Sequence, residues 1–292
     1  QFRALARKDM LSLPSQQSDV FYRDWRALGV EYLVVTRGAP KVGAANVLEV
    51  TMELYDVYRQ RRLLKAGFSN TQTAQRAIAH AVSDAVYEKL TGIKGAFSTR
   101  IVYVSVRKQG QKQRYELVVA DADGARSKPI VSSDEPILSP SWSPNGRDIA
   151  YVSFETGEPA IYRRNLATGS KERLTQYKGL NSAPAWSPDG RRLAMVLSKD
   201  GNPEIYLMDL ATRSLQRLTN HYSIDTEPAW MPDGQSLLFT SDRGGRPQIY
   251  KVSLQSGQTE RVTYSGDYNA LASLLPDGKH MITVHRRDGD YH

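Results

Sequence analysis

The sequence predicts an α/β domain over residues 1–97 followed by an all-β propeller over residues 98–292. Three observations carry this reading. Trp142-Ser143-Pro144-Asn145-Gly146-Arg147 recurs 44 residues later as Trp186-Ser187-Pro188-Asp189-Gly190-Arg191, again as Trp230-Met231-Pro232-Asp233-Gly234-Gln235, and in weaker form as Leu274-Leu275-Pro276-Asp277-Gly278-Lys279. Ile161-Tyr162, Ile205-Tyr206 and Ile249-Tyr250 keep the same step, as do Arg173-Leu174-Thr175, Arg217-Leu218-Thr219 and Arg261-Val262-Thr263. Between these landmarks apolar residues alternate in short runs, and a turn interrupts each run. A fixed period of this size means stacked supersecondary units, and about 40–45 residues is the size of one four-stranded propeller blade. A helical repeat of similar length needs roughly ten or more uninterrupted residues at a 3.6 period, for which the turns leave no room.

The elements follow in order. Residues 20–28 predict a short helix stopped by Gly29, and 30–36 a strand buried on both faces. Residues 47–57 alternate, with Leu48, Val50, Met52 and Leu54 on one face, and 62–68 form a third strand. Arg59-Gln60-Arg61-Arg62 falls at the hairpin tip, where a solvated turn is favoured over nucleic-acid binding. Ser69 and Gln72 have capping-box spacing for a long helix. Its apolar stripe is Ile78, Ala81, Val82, Ala85, Val86 and Leu90, and Gly92 stops it. No glycine-rich phosphate loop occurs at a strand–helix junction.

In the propeller, each repeat reads as strands A to D. Residues 192–197 form strand B, 205–210 strand C and 215–219 strand D of one copy. Pro-Asp-Gly supplies the A-to-B turn, with the aspartate bonding its own backbone. The first copy has strand B at 101–105, strand C at 117–121 and strand D ending near Val131, but Gly95-Ala96-Phe97-Ser98-Thr99 replaces its turn motif. Its A strand is expected from the end of a longer protein, of which this chain reads as a fragment beginning after the true start. The last residue, His292, is expected in the loop after strand B of the fifth repeat, and two open edges predict self-association.

Composition narrows the chemistry. The formal net charge of +8 is spread along the chain, without the aromatic–basic interleaving of a single-strand nucleic-acid binder. There is no cysteine, so disulfides and thiolate chemistry are excluded. No segment approaches the ~20 apolar residues of a membrane span. No Gly-x-Ser-x-Gly elbow or His-Glu-x-x-His helix occurs, and the five histidines show no metal-ligand spacing. His80 stands on the long helix without a ligand at i+4. The inner-strand positions Ser139, Ala183, Glu227 and Leu271 offer a single carboxylate, too few for a channel metal. The residues thus predict no catalytic, cofactor or metal site.

Specific segments narrow the family. Trp25-Arg26-Ala27-Leu28-Gly29-Val30, the run from Glu88 through Thr91-Gly92-Ile93-Lys94-Gly95-Ala96-Phe97 into Arg100-Ile101-Val102-Tyr103-Val104, and Ser241-Asp242-Arg243-Gly244-Gly245-Arg246-Pro247-Gln248-Ile249-Tyr250 resemble the TolB family of the Tol–Pal envelope system over the whole chain. The resemblance implies an N-terminal domain like anticodon-binding domains and a six-bladed propeller, here incomplete. It implies a non-enzymatic periplasmic protein that binds the lipoprotein Pal at the propeller mouth. It also implies a TolA contact through an N-terminal segment preceding Gln1, admits other outer-membrane proteins as partners, and involves neither nucleic acid nor membrane insertion.

The D-to-A loops at 132–138, 176–182, 220–226 and 264–270 vary while the strands repeat, as recognition loops on a rigid frame do. They carry Tyr177, Leu180, Tyr222, Ile224 and Tyr268, which serve either as interface anchors or as packing between blades. Pal-contacting positions of the family fall on Leu180, Ala183 and Thr226, and the expected partner-binding set is Leu180, Asn181, Ala183, Asp225, Thr226, Glu227, Arg243 and Arg246. Ala183 and Thr226 are expected in loops. Arg243, Arg246, Arg286 and Arg287 are expected in B-to-C loops as a positive field. Two rival readings are the propeller of a prolyl-oligopeptidase-like serine peptidase and a metal-dependent propeller enzyme.

Overall fold

The computed structural model describes residues 3–110, 112–275, 277–287 and 290–292, with the side chains of Gln109 and Arg287 excepted. Gln1 and Pro276 of the fourth turn copy lie outside the described residues. Two compact units form, one from residues 1–101 with 120–126, the other from 102–119 with 127–292.

In the first unit, α1 (Tyr22–Ala27) precedes β1 (Tyr32–Lys41), β2 (Ala44–Asp56) and β3 (Arg61–Thr71), an antiparallel sheet in the order β1-β2-β3, followed by α2 (Gln75–Thr91). Leu33 and Val35 point to one face and pack with Val20, Trp25, Tyr55 and Val57. Their alternates Tyr32 and Val34 are each 40% exposed, so β1 is buried on one face, not two. The cause is position: α2 covers β3 and β2, and β1 is an edge strand. The capping box is also corrected. Ser69 pairs with Glu49 inside β3, and a 3₁₀ turn at Gln72–Ala74 separates it from the helix. Gly92 ends α2 as expected, with φ 74° and its N–H on the Glu88 carbonyl at 2.8 Å. At the arginine-rich tip, Arg59 pairs with Asp56, and Arg62 donates to the buried Glu53 at 2.8 Å.

The second unit is a series of antiparallel sheets at the predicted step. β4 (Arg100–Gln109), β5 (Lys112–Asp121) and β6 (Lys128–Ser133) make blade 1, with no A strand among the described residues. Blade 2 is β7 (Ile137–Trp142), β8 (Asp148–Ser153), β9 (Ala160–Asn165) and β10 (Lys171–Arg173). Blade 3 is β11 (Asn181–Trp186), β12 (Arg192–Leu197), β13 (Glu204–Asp209) and β14 (Leu215–Arg217). Blade 4 is β15 (Asp225–Trp230), β16 (Ser236–Ser241), β17 (Gln248–Ser253) and β18 (Thr259–Arg261). Blade 5 is β19 (Tyr268–Leu274), β20 (Met281–Arg287) and β21 (Asp290–Tyr291). The end of the chain therefore begins a C strand, with Arg286 opposite Tyr291, instead of lying in a loop.

Blades pack face to face. Leu193, Met195 and Leu197 of β12 face blade 2, while Ala194 and Val196 face blade 4, so this strand is buried on both sides. Trp186 Nε1 donates to the Ser141 carbonyl of the preceding blade (3.2 Å), and Trp230 Nε1 repeats this with Ala185 (3.0 Å). Trp142 packs at the corresponding boundary between blades 1 and 2. A buried indole satisfies its polar edge while its rings fill the interface. The Pro-Asp-Gly turns are structural, as expected: Asn145, Asp189, Asp233 and Asp277 each accept the N–H two residues on.

Candidate functional site

The D-to-A and B-to-C loops meet at one rim of the propeller unit. Leu180 N–H donates to Ser198 Oγ (2.8 Å), and Ile224 N–H to Asp242 Oδ1 (2.9 Å). Two of the D-to-A loops also reach back to the preceding blade. Asp225 N–H bonds the Pro203 carbonyl (3.0 Å) and Asn269 N–H the Pro247 carbonyl (2.9 Å).

Three of the expected partner-binding residues turn inward. Asn181 is fully buried and staples its own loop: Nδ2 donates to the Tyr177 (2.7 Å) and Gly179 (3.1 Å) carbonyls, and Oδ1 accepts from Tyr177 N–H (3.3 Å). Asp225 stands one repeat later, also fully buried, and Arg243 Nη2 closes on it at 2.6 Å. Burial pushes the Asp225 carboxyl up, while bonds from Ser241 and Arg243 pull against that shift. Arg243, its side chain only 16% exposed, also lies over the Phe239 and Tyr250 rings. It balances an internal acid and adds no free positive field. An amide or acid at the head of an inner strand is spent on loop carbonyls and cations, which a residue list does not reveal.

Ala183, Thr226 and Glu227 remain half-buried on inner strands β11 and β15, not in loops. Each inner strand breaks register at the same place: between Leu138 and Ser141, Ser182 and Ala185, Thr226 and Ala229, and Ala270 and Ser273. There Ser139, Ala183, Glu227 and Leu271 take left-handed φ values of 49°, 47°, 56° and 55°. Pro140, Pro184 and Pro228 follow the first three and have no N–H to give the ladder, while Ala272 follows Leu271 and the bulge forms there too. This X-Pro pair at the repeat step was the readable signal for the bulge. Glu227 Oε2 accepts from Thr240 Oγ1 (2.7 Å) and from Leu271 N–H of the next blade (2.9 Å).

Around these residues the rim is apolar in places. Leu180 is 37% exposed, Ile224 50% and Tyr222 86%, with the Tyr222 ring against His221 at 4.2 Å. Tyr177 instead packs into the boundary between blades 2 and 3. Arg246 is exposed and pairs with Asp267. Arg286 stands in β20, not in a loop, and the Arg287 side chain lies outside the described residues.

Away from the rim, His80, Asp121 and Asp123 bring possible ligand atoms within 4.8 Å of one another, a grouping hidden by their distance in sequence. Arginines already fill it. Arg126 grips Asp121 with two bonds (2.8 and 3.0 Å), and Arg76 bridges Asp121 and Asp123. Those bonds, with that of Arg126 first, hold the Asp121 carboxyl below its usual range. The carboxylates are committed to guanidinium groups, and the arrangement is a charge clamp.

Residues 87–292 match the family model described as the TolB beta propeller domain, and residues 1–63 match the TolB amino-terminal domain. The Tol-Pal system protein TolB of Hahella chejuensis is 49% identical over 179 residues, 61% of this chain and 41% of that protein. The Marinomonas sp. protein of the same name is 51% identical over 183 residues, 62% of this chain and 42% of its own length. These alignments span about two fifths of the curated relatives. The crystal structure of TolB from Acinetobacter baumannii superposes with a TM-score of 0.90 at 44% identity, covering 98% of this chain and 71% of that one.

Proposed function

The chain belongs to the TolB family, and from that premise we propose that it is a non-enzymatic protein-binding scaffold of the Tol–Pal system, working in the periplasm. Its partner at the rim is the lipoprotein Pal. TolA is a second partner, and the assembly supports outer-membrane integrity and cell division. The division of labour is an N-terminal domain over 1–97 and a propeller over 98–292. One observation carries the binding reading: exposed Leu180, Tyr222 and Ile224 stand on the loops that lead into the strands of half-buried Ala183 and Thr226, on a frame fixed by loop hydrogen bonds. Interface hot spots are apolar or aromatic anchors on such pre-organised supports. Of the expected contact residues, Leu180, Ala183, Thr226, Glu227 and Arg246 are retained as partner-facing; Asn181, Asp225 and Arg243 support them from beneath.

Calorimetric titration with a Pal lipoprotein domain tests this. Thr226→Trp places a bulky ring at the mouth and is expected to abolish binding. Leu180→Asp, on an exposed side chain, is expected to weaken it by about 2 kcal/mol. Both should unfold near the parent temperature. Parent-like affinity in both variants places the interface elsewhere.

A further inference from the structure

We propose that the cleft between blades 4 and 5 at this rim is a carboxylate-receiving subsite for an acidic side chain of the protein partner. The inference deepens the reading of the rim as a protein-binding face and rests on it. The repeat itself supplies the control. One blade earlier the corresponding space is closed by internal acids. Buried Glu204 accepts from Arg217 Nη2 (2.9 Å), Thr219 Oγ1 (2.6 Å) and His221 N–H (2.6 Å). Asp200 accepts from the Tyr206 hydroxyl (2.6 Å), and Asn202 Nδ2 ties down the His221 (2.6 Å) and Ser223 (2.8 Å) carbonyls.

One repeat on, the frame persists and the acids are gone. Arg261 Nε bonds the Thr263 carbonyl (2.6 Å), as Arg217 Nε bonds that of Thr219 (2.9 Å). Gln248 replaces Glu204 and accepts from Thr263 Oγ1 (2.8 Å) and Asn269 Nδ2 (2.9 Å), but brings no charge to Arg261. Among the described residues no carboxylate pairs with Arg261. Gly244 stands where Asp200 stood, Gly266 where Tyr222 stood, Arg246 for Asn202 and Arg286 for Asp242. A set with one arginine and three acids has become one with three arginines and a single acid, Asp267.

At Gly266 the His285 ring fills the place a side chain would take, and open space remains beside it. Two adjoining cavities of about 410 and 400 Å³ share Arg246 and Asp267; Arg261 and Gly266 line the first, Tyr268 and Arg286 the second. Arg286 Nε is buried and has no hydrogen-bond partner among the described residues. The Arg246–Asp267 pair is solvent-exposed, so displacing it costs little. Guanidinium forks match carboxylates through paired N–H···O bonds, and this excess of arginine over acid complements an acidic side chain of a protein docked on the rim.

Gln248→Glu restores the acid that Glu204 supplies one blade earlier, at a place where the repeat already carries it. In titrations of the intact protein with the lipoprotein domain used above, Gln248→Glu and Arg261→Gln are each expected to weaken binding about tenfold and to flatten its salt dependence. If both bind as the parent does while Thr226→Trp fails, the subsite is overturned and the rim reading stands. If the domain does not bind the parent protein, the rim reading fails, and the subsite is read separately by NMR of the arginine Nε–Hε groups. A saturable shift at Arg261 and Arg286 with a hexaglutamate peptide, lost in Gln248→Glu, supports it. No shift, or an equal response to inorganic phosphate, overturns a carboxylate subsite.

Discussion

At the scale of single residues, this molecule places acids where several donors converge. Glu53 is 3% exposed and takes the Tyr55 hydroxyl (2.8 Å) and Arg62 (2.8 Å), with Arg37 and Lys65 each at 3.5 Å. The Tyr55 bond first, opposed by burial and helped by the three cations, holds its carboxyl below the ordinary 4.5. A carboxyl depressed by folding stabilises the native state above its unfolded pKa, and that stability is lost as pH falls through the folded value. Glu53→Gln is therefore expected to cost about 1–2 kcal/mol at pH 7. In urea titrations the gap between variant and parent should close as pH falls below 4.5. An undiminished gap at acid pH would assign the loss to packing instead of charge.

At the scale of elements, the inner-strand bulge is the device that repeats. It gives the strand a second direction at the mouth and sets Ala183 and Glu227 in left-handed backbone. An alanine there carries strain of about 1 kcal/mol that a glycine does not. Ala183→Gly is expected to raise the urea midpoint modestly and to leave partner binding intact, since the backbone path is unchanged. A lowered midpoint would show that the Ala183 methyl contributes more by packing against blade 4 than its conformation costs. The bulge was partly legible: Ser139-Pro140, Ala183-Pro184 and Glu227-Pro228 keep the repeat step. Its handedness was not, because the positive φ follows from ladder pairing on both sides of the bulge, as at Leu271, which no proline follows.

At the scale of the propeller unit, stability is carried by successive blade boundaries. Clusters centred on Ile149 and Tyr162, on Met195 and Tyr206, and on Phe239 and Tyr250 follow one another along the repeat. Such arrays are held largely by neighbour contacts, so protection should follow burial blade by blade. Amides of β12, buried on both faces, are expected to exchange slowest with deuterium. Those of β14, a three-residue outer strand at its sheet's edge, should exchange faster. Equal protection in β12 and β14 would contradict a boundary-by-boundary core.

The sequence by itself determined the period, the blade, the turn chemistry and the family, because each is local or repeats at a fixed step. A Pro-Asp-Gly turn needs only its own neighbours, and Gly92 needs only the helix it ends. Tertiary structure alone decided which polar residues face a partner. Asn181 and Asp225 looked like rim contacts and are buried staples, since loop carbonyls and Arg243 fold back over them. Arg243 and Arg261 look alike in sequence, yet one is neutralised by a buried acid and the other pairs with no carboxylate among the described residues, because the partner of a charge is set by the packing of distant segments.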